Sequence, residues 1–207
     1  MESRLPRHPN CKAYNWRAYR NGDKFLQKFS SALKGTLFDL GCGEAPYRDF
    51  FLIHAAKYVG IDWGKSRHKS RADVIADLNK GLPFRSSVAD TVVSLSVLEH
   101  LCEPQTMLNE AYRILKPGSG ILLQVPWQWR VHESPNDYFR YTPYGLRYIL
   151  SKAGYKDIDV WPQSGFFTML IMKINYFSKR LVRGPNPARW LLRGMLLPVW
   201  YFSQKAT

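Results

Sequence analysis

The stretch TLFDLGCGEAP, residues 36–46, places Asp39, Gly41, Gly43 and Glu44 where a short apolar run ends. Two glycines one residue apart permit a tight turn and let a ligand approach bare backbone. Asp62, with Trp63 beside it, closes a second apolar run about twenty residues on, a spacing at which an acid can accept hydrogen bonds from both ribose hydroxyls. Asp77 followed by Leu78 offers an acceptor for an adenine amino group and an apolar face for its ring. A later run ends in SVLEHL, with Ser96, Val97, Glu99 and His100. The densest chemistry lies in PWQWRVHESPNDYFRYTPYG, residues 126–145. There His132 can act as a general base, oriented by Asp137 or Glu133, and His100 is an equal competitor. Arg140 suits a substrate carboxylate or phosphate. Trp127, Trp129 and Tyr138 can stack on a sugar face, with Tyr141 close by. The bland alternative is a structural loop in which Arg140 pairs with Asp137 and the tyrosines cover a sheet. His132-Glu133 does not start an HExxH zinc motif, because Asn136 stands where the second histidine belongs. No metal is therefore expected.

These groups need strands that end side by side. The pattern supplies them: TLFDL, KYVGIDW, ADVIADL, DTVVSLSVLEH, GILLQVPW and KDIDVWP read as six strands. PYRDFFLIHA, EPQTMLNEAYRIL (ended by KPGSG) and TPYGLRYILSKAG read as helices between them, the last with Thr142 as N-cap and Gly154 as C-cap. Strands alternating with helices predict a doubly wound, mainly parallel α/β sheet. Ligands of such sheets bind beyond the carboxyl ends of the strands, where the strand order reverses. Residues 16–33 carry Trp16, Tyr19, Phe25, Leu26, Phe29 and Leu33 near helical spacing. Three segments result: an arm and lid helix over 1–35, with Tyr14, Asn15, Trp16 and Tyr19 on the lid; a core over 36–163; and a helical tail over 164–207.

The turn alone fits NAD, FAD, a nucleotide phosphate or S-adenosylmethionine. A dinucleotide fingerprint wants a third glycine, but Pro46 stands there and removes a helix N–H that a pyrophosphate would use. Acids such as Asp39 and Glu44 repel pyrophosphate and suit a ligand carrying ammonium and sulfonium charge. In order along the chain, LFDLGCGEAPY, YVGIDWG, ADVIADLNKGLPF, DTVVSLSVLEHLCEP and LNEAYRILKPGSGILLQVPW resemble the successive motifs of class I S-adenosylmethionine-dependent methyltransferases. The resemblance runs over residues 36 to about 160. It implies a Rossmann-like sheet of seven strands with S-adenosyl-L-methionine over its first half. It places Gly41 and Gly43 at the aminoacyl part, Asp39 on its ammonium side, and Asp62 on the ribose, next to Trp63. Asp77 and Leu78 would hold the adenine, with Ser96 and Val97 on the methionine side. HESPNDYFRYT resembles the H-x-x-P-x-D-Y-x-R-Y-T segment of a bacterial subgroup associated with glycan and cell-envelope pathways.

The chain has 207 residues, 45% hydrophobic and 22% charged, with a net charge of +14. That excess points to an acidic partner or to nothing more than a basic surface. Cys11, Cys42 and Cys102 form no CxxC pair, which fits a reducing, cytoplasmic setting. The tail lacks a seventh-strand pattern. It holds seven Lys or Arg, among them Lys173, Lys179, Arg180, Arg183, Arg189 and Arg193, and no acid. Two apolar, basic-edged helices of this kind fit peripheral contact with the inner face of a membrane, or a protein contact. The expected activity is methyl transfer, by preference to oxygen, onto a small-molecule or glycan acceptor that is either free or lipid-linked. RNA methylation is disfavoured, since no RNA-binding motif is appended and SVLEHL replaces a base-methylation tetrad. A non-catalytic adaptor at a membrane is the third reading.

Overall fold

The computed structural model describes residues 5–10, 14–65, 69–182 and 185–205. Cys11 and Arg183 lie outside the described residues. The described chain divides into two compact units, Phe29–Trp161 and a second made of Leu5–Lys28 with the residues from Pro162 onward.

The first unit is built on five parallel strands: β1 (Thr36–Leu40), β2 (Lys57–Asp62), β3 (Val74–Ile75), β4 (Ala89–Leu95) and β5 (Leu115–Gln124). Their spatial order is β3-β2-β1-β4-β5, and every adjacent pair is parallel. The order reverses at β1, so the crevice of this doubly wound sheet opens between the ends of β1 and β4. β1 has partners on both sides, and Leu37, Phe38, Asp39 and Leu40 are all buried. Helices α2 (Arg48–His54), α3 (Pro104–Ile114) and α4 (Pro143–Lys152) follow β2's predecessor turn, β4 and β5. On one face Phe38, Leu40, Ile61 and Val92 pack against Met107, Leu108, Ala111 and Ile114 of α3 and Leu150 of α4. Phe51 of α2 stacks on Tyr58 of β2, with ring centroids 6.0 Å apart. Thr142 caps α4 by accepting the Gly145 N–H at 3.1 Å, and Gly154 follows its end at φ +104°, both as the sequence predicts.

Two elements differ from the sequence reading. β5 begins at Leu115, the last residue of the expected helix, and runs through the expected KPGSG turn, because Ala89 pairs with Leu115 before an irregularity resets the register to Thr91 with Gly120. The sixth strand, over residues 156–162, is absent among the described residues. Asp157 adopts φ +52°, outside extended geometry, and the Ile158 carbonyl accepts the Arg147 guanidinium rather than a ladder N–H. β5 is therefore an edge of the described sheet, and the described residues form five strands in place of the seven that the resemblance implies.

The second unit holds three helices, α1 (Trp16–Lys28), α5 (Phe166–Lys179) and α6 (Asn186–Lys205). Trp16 stacks on Tyr201, with centroids 5.5 Å apart. The buried Gln204 side chain accepts the Arg17 N–H at 3.1 Å and donates to the Tyr14 carbonyl at 2.6 Å. Asn175 of α5 donates to Ser203 at 3.1 Å, and the Trp200 indole donates to Ser178 at 2.8 Å. Of the residues read above as a lid, Tyr14 and Trp16 thus contact α6. Tyr19 stacks instead on His8, with centroids 4.2 Å apart.

Gly41 and Gly43 make contrasting tests. Both have left-handed φ, +80° and +52°. A Cβ on Gly41 would lie 2.4 Å from Val97, whereas one on Gly43 would meet nothing within 4 Å. Gly41→Ala should destabilise the fold by ~2–4 kcal/mol, from backbone strain and overpacking together. Gly43→Ala should cost about 1 kcal/mol, from the backbone alone. Urea denaturation checks this, and equal losses would contradict it.

Candidate active site

The turn after β1 is built by its neighbour strand. The Gly41 and Cys42 N–H groups both donate to the Ile61 carbonyl, at 2.8 and 3.0 Å. Asp62, only 6% exposed, then accepts Gly43 N–H at 2.9 Å on one oxygen and Gly64 N–H at 3.1 Å on the other. One carboxylate therefore holds the turns after β1 and β2 together, and each of its oxygens keeps a second lone pair. Trp63 beside it is partly exposed.

Asp39 points into the protein. Its carboxylate accepts the Tyr58 hydroxyl at 2.8 Å. Burial pushes its pKa up to about 7 and pushes the Tyr58 phenol up as well. Burial, reinforced by Asp39 and Asp62, raises the Cys42 thiol to about 12. One Asp39 oxygen is thus committed to Tyr58. The sequence reading did not identify Tyr58; a tyrosine on the strand beside an acid is a weak signal until the register Asp39 to Gly60 brings them together.

Asp77 accepts the Asn79 N–H at 3.0 Å and lies 3.9 Å from Lys80. It lines a surface hollow of about 690 Å³ with Ile75, Ala76 and Gly81. Neither the glycine turn nor the histidine loop forms a wall of that hollow. Leu78 is buried in the core under it. Ser96, at the end of β4, is held at φ +56° with its N–H on the Gln124 carbonyl at 2.8 Å. A non-glycine residue in that region is strained, and such strain gathers at functional sites.

Beyond Val97 the chain passes under the 126–141 loop. The Glu99 carbonyl accepts Tyr138 and Phe139 N–H groups at 2.8 and 3.2 Å, and Tyr141 donates its hydroxyl to the Leu98 carbonyl at 3.2 Å. His100 Nδ1 lies 2.6 Å from the Asn136 carbonyl. The His100 and His132 rings sit 4.7 Å apart, edge to face. His132 Nδ1 is 3.3 Å from Asp137 Oδ2. Asp137 is the loop's anchor: its side chain is 1% exposed, and Arg140 grips it bidentately at 2.6 and 2.8 Å. That grip lowers its pKa strongly. Burial lowers the His132 pKa, favouring the neutral ring a base requires.

Arg140 corrects the sequence reading. Its remaining N–H groups go to the carbonyls of Trp129, Phe139 and Arg130, at 3.1, 2.7 and 2.9 Å. All five donors of the guanidinium are used, so none is left for a substrate anion. Tyr141 likewise spends its hydroxyl on the backbone. Tyr138 and Trp127 remain exposed. Glu99, which the sequence reading placed here without a role, stands out. It is fully buried, and neither carboxylate oxygen has a hydrogen-bond partner. Burial raises its pKa to about 7.

A doubly wound sheet with this acid-lined glycine turn at its switch point defines a Rossmann-like domain. Comparison with known proteins names the class. Residues 38–123 match the methyltransferase-domain family, and the chain contains a class I S-adenosylmethionine-dependent methyltransferase domain. Over 115 residues it is 26% identical to a "probable S-adenosylmethionine-dependent methyltransferase" of Mycolicibacterium smegmatis, covering 52% of this chain and 45% of that protein. It is 26% identical to a tRNA (carboxymethyluridine(34)-5-O)-methyltransferase of Arabidopsis thaliana, covering 63% and 32%. It is 25% identical to a ubiquinone biosynthesis O-methyltransferase of Pseudomonas paraeruginosa, covering 56% and 52%. The chain thus spans about half or less of the length of these relatives. A Haemonchus contortus phosphoethanolamine N-methyltransferase, solved with S-adenosylhomocysteine, shares the fold at a TM-score of 0.58 and 18% identity, covering 90% of this chain and 48% of that one.

Two outcomes follow from the geometry. Arg140→Ala strips Asp137 of its partner in a buried setting and should cost ~3–5 kcal/mol of stability; a variant as stable as the parent in urea would show the pair to be dispensable. For Asp39, the folded state raises the pKa, so its contribution to stability is complete below about pH 4 and fades as the pH rises to about 7. Asp39→Asn keeps an acceptor for Tyr58 without titrating. Its stability relative to the parent should climb between pH 4 and 7 and then level off, as read by thermal unfolding across that range.

Proposed function

We propose that this protein methylates a hydroxyl oxygen of a small-molecule acceptor seated over Glu99, His100 and His132. The observation that carries this is the pair of imidazoles, 4.7 Å apart, whose His100 follows three residues after Val97, the residue packed on Gly41 of the cofactor turn. The turn suits S-adenosyl-L-methionine: the open space at Gly43 leaves room for a ligand, and the acids around it favour a cation over a pyrophosphate. Gly41 and Gly43 would face the aminoacyl part, the free lone pairs of Asp62 the ribose, and Asp77 the adenine. When bound, the cofactor supplies a methyl carbon made electrophilic by positive sulfur. The chain's own task is to align the acceptor oxygen and take its proton. His100 Nδ1 faces a carbonyl, and His132 Nδ1 faces the Arg130 carbonyl and Asp137. A proton on Nδ1 satisfies these acceptors and leaves each Nε2 as the basic atom. Asp137 orients His132 and stabilises it once protonated. A positioned base of this kind is worth ~10²–10⁴-fold.

The exposed aromatics Tyr138 and Trp127 fit a sugar or ring face of the acceptor. Phe166, Phe167 and Phe177 of α5 and Trp190, Met195 and Phe202 of α6 are exposed among Lys173, Arg180, Arg189 and Arg193. That combination supports a lipid-linked acceptor met at an anionic membrane surface. No helix among the described residues is long and apolar enough to cross a membrane. The net charge and the tRNA-methylating relative support RNA as the rival acceptor.

Calorimetry should show S-adenosylmethionine and S-adenosylhomocysteine binding, weakened at least tenfold by Asp62→Ala; no binding by the folded parent would sink the enzyme reading. Mass spectrometry of small-molecule, glycan and RNA fractions from cells with and without the gene should show one methyl increment missing from a non-RNA fraction. A loss confined to RNA would transfer the assignment to the rival. Sedimentation with phosphatidylglycerol vesicles should show salt-sensitive binding, and its absence would remove the membrane part alone.

A further inference from the structure

Three groups with electron pairs to give converge under the 126–141 loop. The Glu99 carboxylate is fully buried, and neither oxygen receives a hydrogen bond. A carboxylate so placed is costly unless a proton or a cation joins it. The nearby guanidinium of Arg140 is no remedy, since Asp137 and three carbonyls take all its donors. His100 Nε2 lies 3.7 Å from Glu99 Oε1, too far for a hydrogen bond. His132 Nε2 is the ring's free atom, since Nδ1 faces the Arg130 carbonyl, with Asp137 3.3 Å away. One donor atom from each of Glu99, His100 and His132 lies within 4.8 Å of the others.

We propose that Glu99, His100 and His132 bind a single first-row divalent cation, with zinc the best match. Metal–ligand bonds to imidazole and carboxylate run about 2.0–2.2 Å. Two such bonds span up to about 4.2 Å, so small side-chain rotations close the set around one ion. The outer contacts are those that metal-bound histidines need: Nδ1 of His100 faces the Asn136 carbonyl and Nδ1 of His132 the Arg130 carbonyl, with the buried Asp137 carboxylate 3.3 Å away, an arrangement that fixes the tautomer and aims Nε2. Two nitrogens and one oxygen select borderline metals such as zinc over magnesium or calcium, which prefer all-oxygen sites. Three protein ligands leave a position open for an acceptor atom. A hydroxyl bound there would lose its proton more readily, so the cation would take over the work assigned above to a free imidazole. The site itself stands on the cluster's geometry and does not depend on methyl transfer.

The test uses the full chain, stripped with a chelator and titrated with Zn²⁺ by calorimetry and with Co²⁺ by visible absorption. One equivalent should bind, and Co²⁺ should show the intense ligand-field bands of a low-coordinate site. Glu99→Gln and His132→Ala should each weaken Zn²⁺ binding at least tenfold, while Cys102→Ser, at an exposed thiol, should not. Circular dichroism establishes that each variant is folded, and His100→Gln supplies an independent ligand deletion should one variant fail. Absence of stoichiometric binding, or binding indifferent to all three ligand changes, would overturn the inference and leave a shared proton as the partner of Glu99. S-adenosylhomocysteine titrated into the same samples separates the two proposals: cofactor binding without zinc binding removes this one only, and the reverse removes only the earlier one.

Discussion

A single carboxylate, that of Asp62, holds the cofactor end of the domain in shape. Its two oxygens take backbone N–H groups from the turns that follow β1 and β2. Without those bonds the Gly43 N–H would be left to a ligand or to water, and the two turns could drift apart. The Ile61 carbonyl adds a second clasp from the same strand end, accepting two N–H groups from the first turn. Because Val97 packs directly on Gly41, the position of that turn also sets where β4 hands over to Glu99 and His100.

The loop above is braced differently. It has no helix or strand of its own between residues 125 and 142, so its backbone groups must find partners elsewhere. Arg140 and Asp137 provide them. The guanidinium collects three loop carbonyls, and the carboxylate takes the His132 N–H at 2.7 Å. The loop is then stitched to residues 98–100 through Tyr138, Phe139 and Tyr141. This bracing brings a histidine from the loop against a histidine and a glutamate from the end of β4.

Much of this could be read in advance. The order of strands and helices, the β1 turn, the capping of α4 and the methyltransferase class were all visible, since each rests on local periodicity or on residues close in sequence. The extension of β5 into KPGSG was not, because pairing with Ala89 overrode the turn signal. The absence of the sixth strand turned on one left-handed residue, Asp157, whose conformation no periodicity reveals. Among site residues, Arg140 was read as a ligand for substrate while the plainer pairing with Asp137 stood beside it. Residue type alone does not separate a guanidinium with free donors from one with none.

The amino-acid sequence by itself determined the doubly wound sheet and the acid-and-glycine chemistry of its cofactor end, because those features repeat with the period of strands or sit within one turn. Only the tertiary structure decided which side chains face one another across elements. It turned Asp39 inward to Tyr58 and committed Arg140 to the loop. It left Glu99 without a hydrogen-bond partner between His100 and His132. These outcomes depend on burial and on which residues meet in space, from Arg140 and Asp137, three positions apart, to Asp39 and Tyr58, 19 apart, and His132 with the end of β4. A buried charge is costly or useful according to what the fold places beside it, and that arrangement is written in no single stretch of the chain.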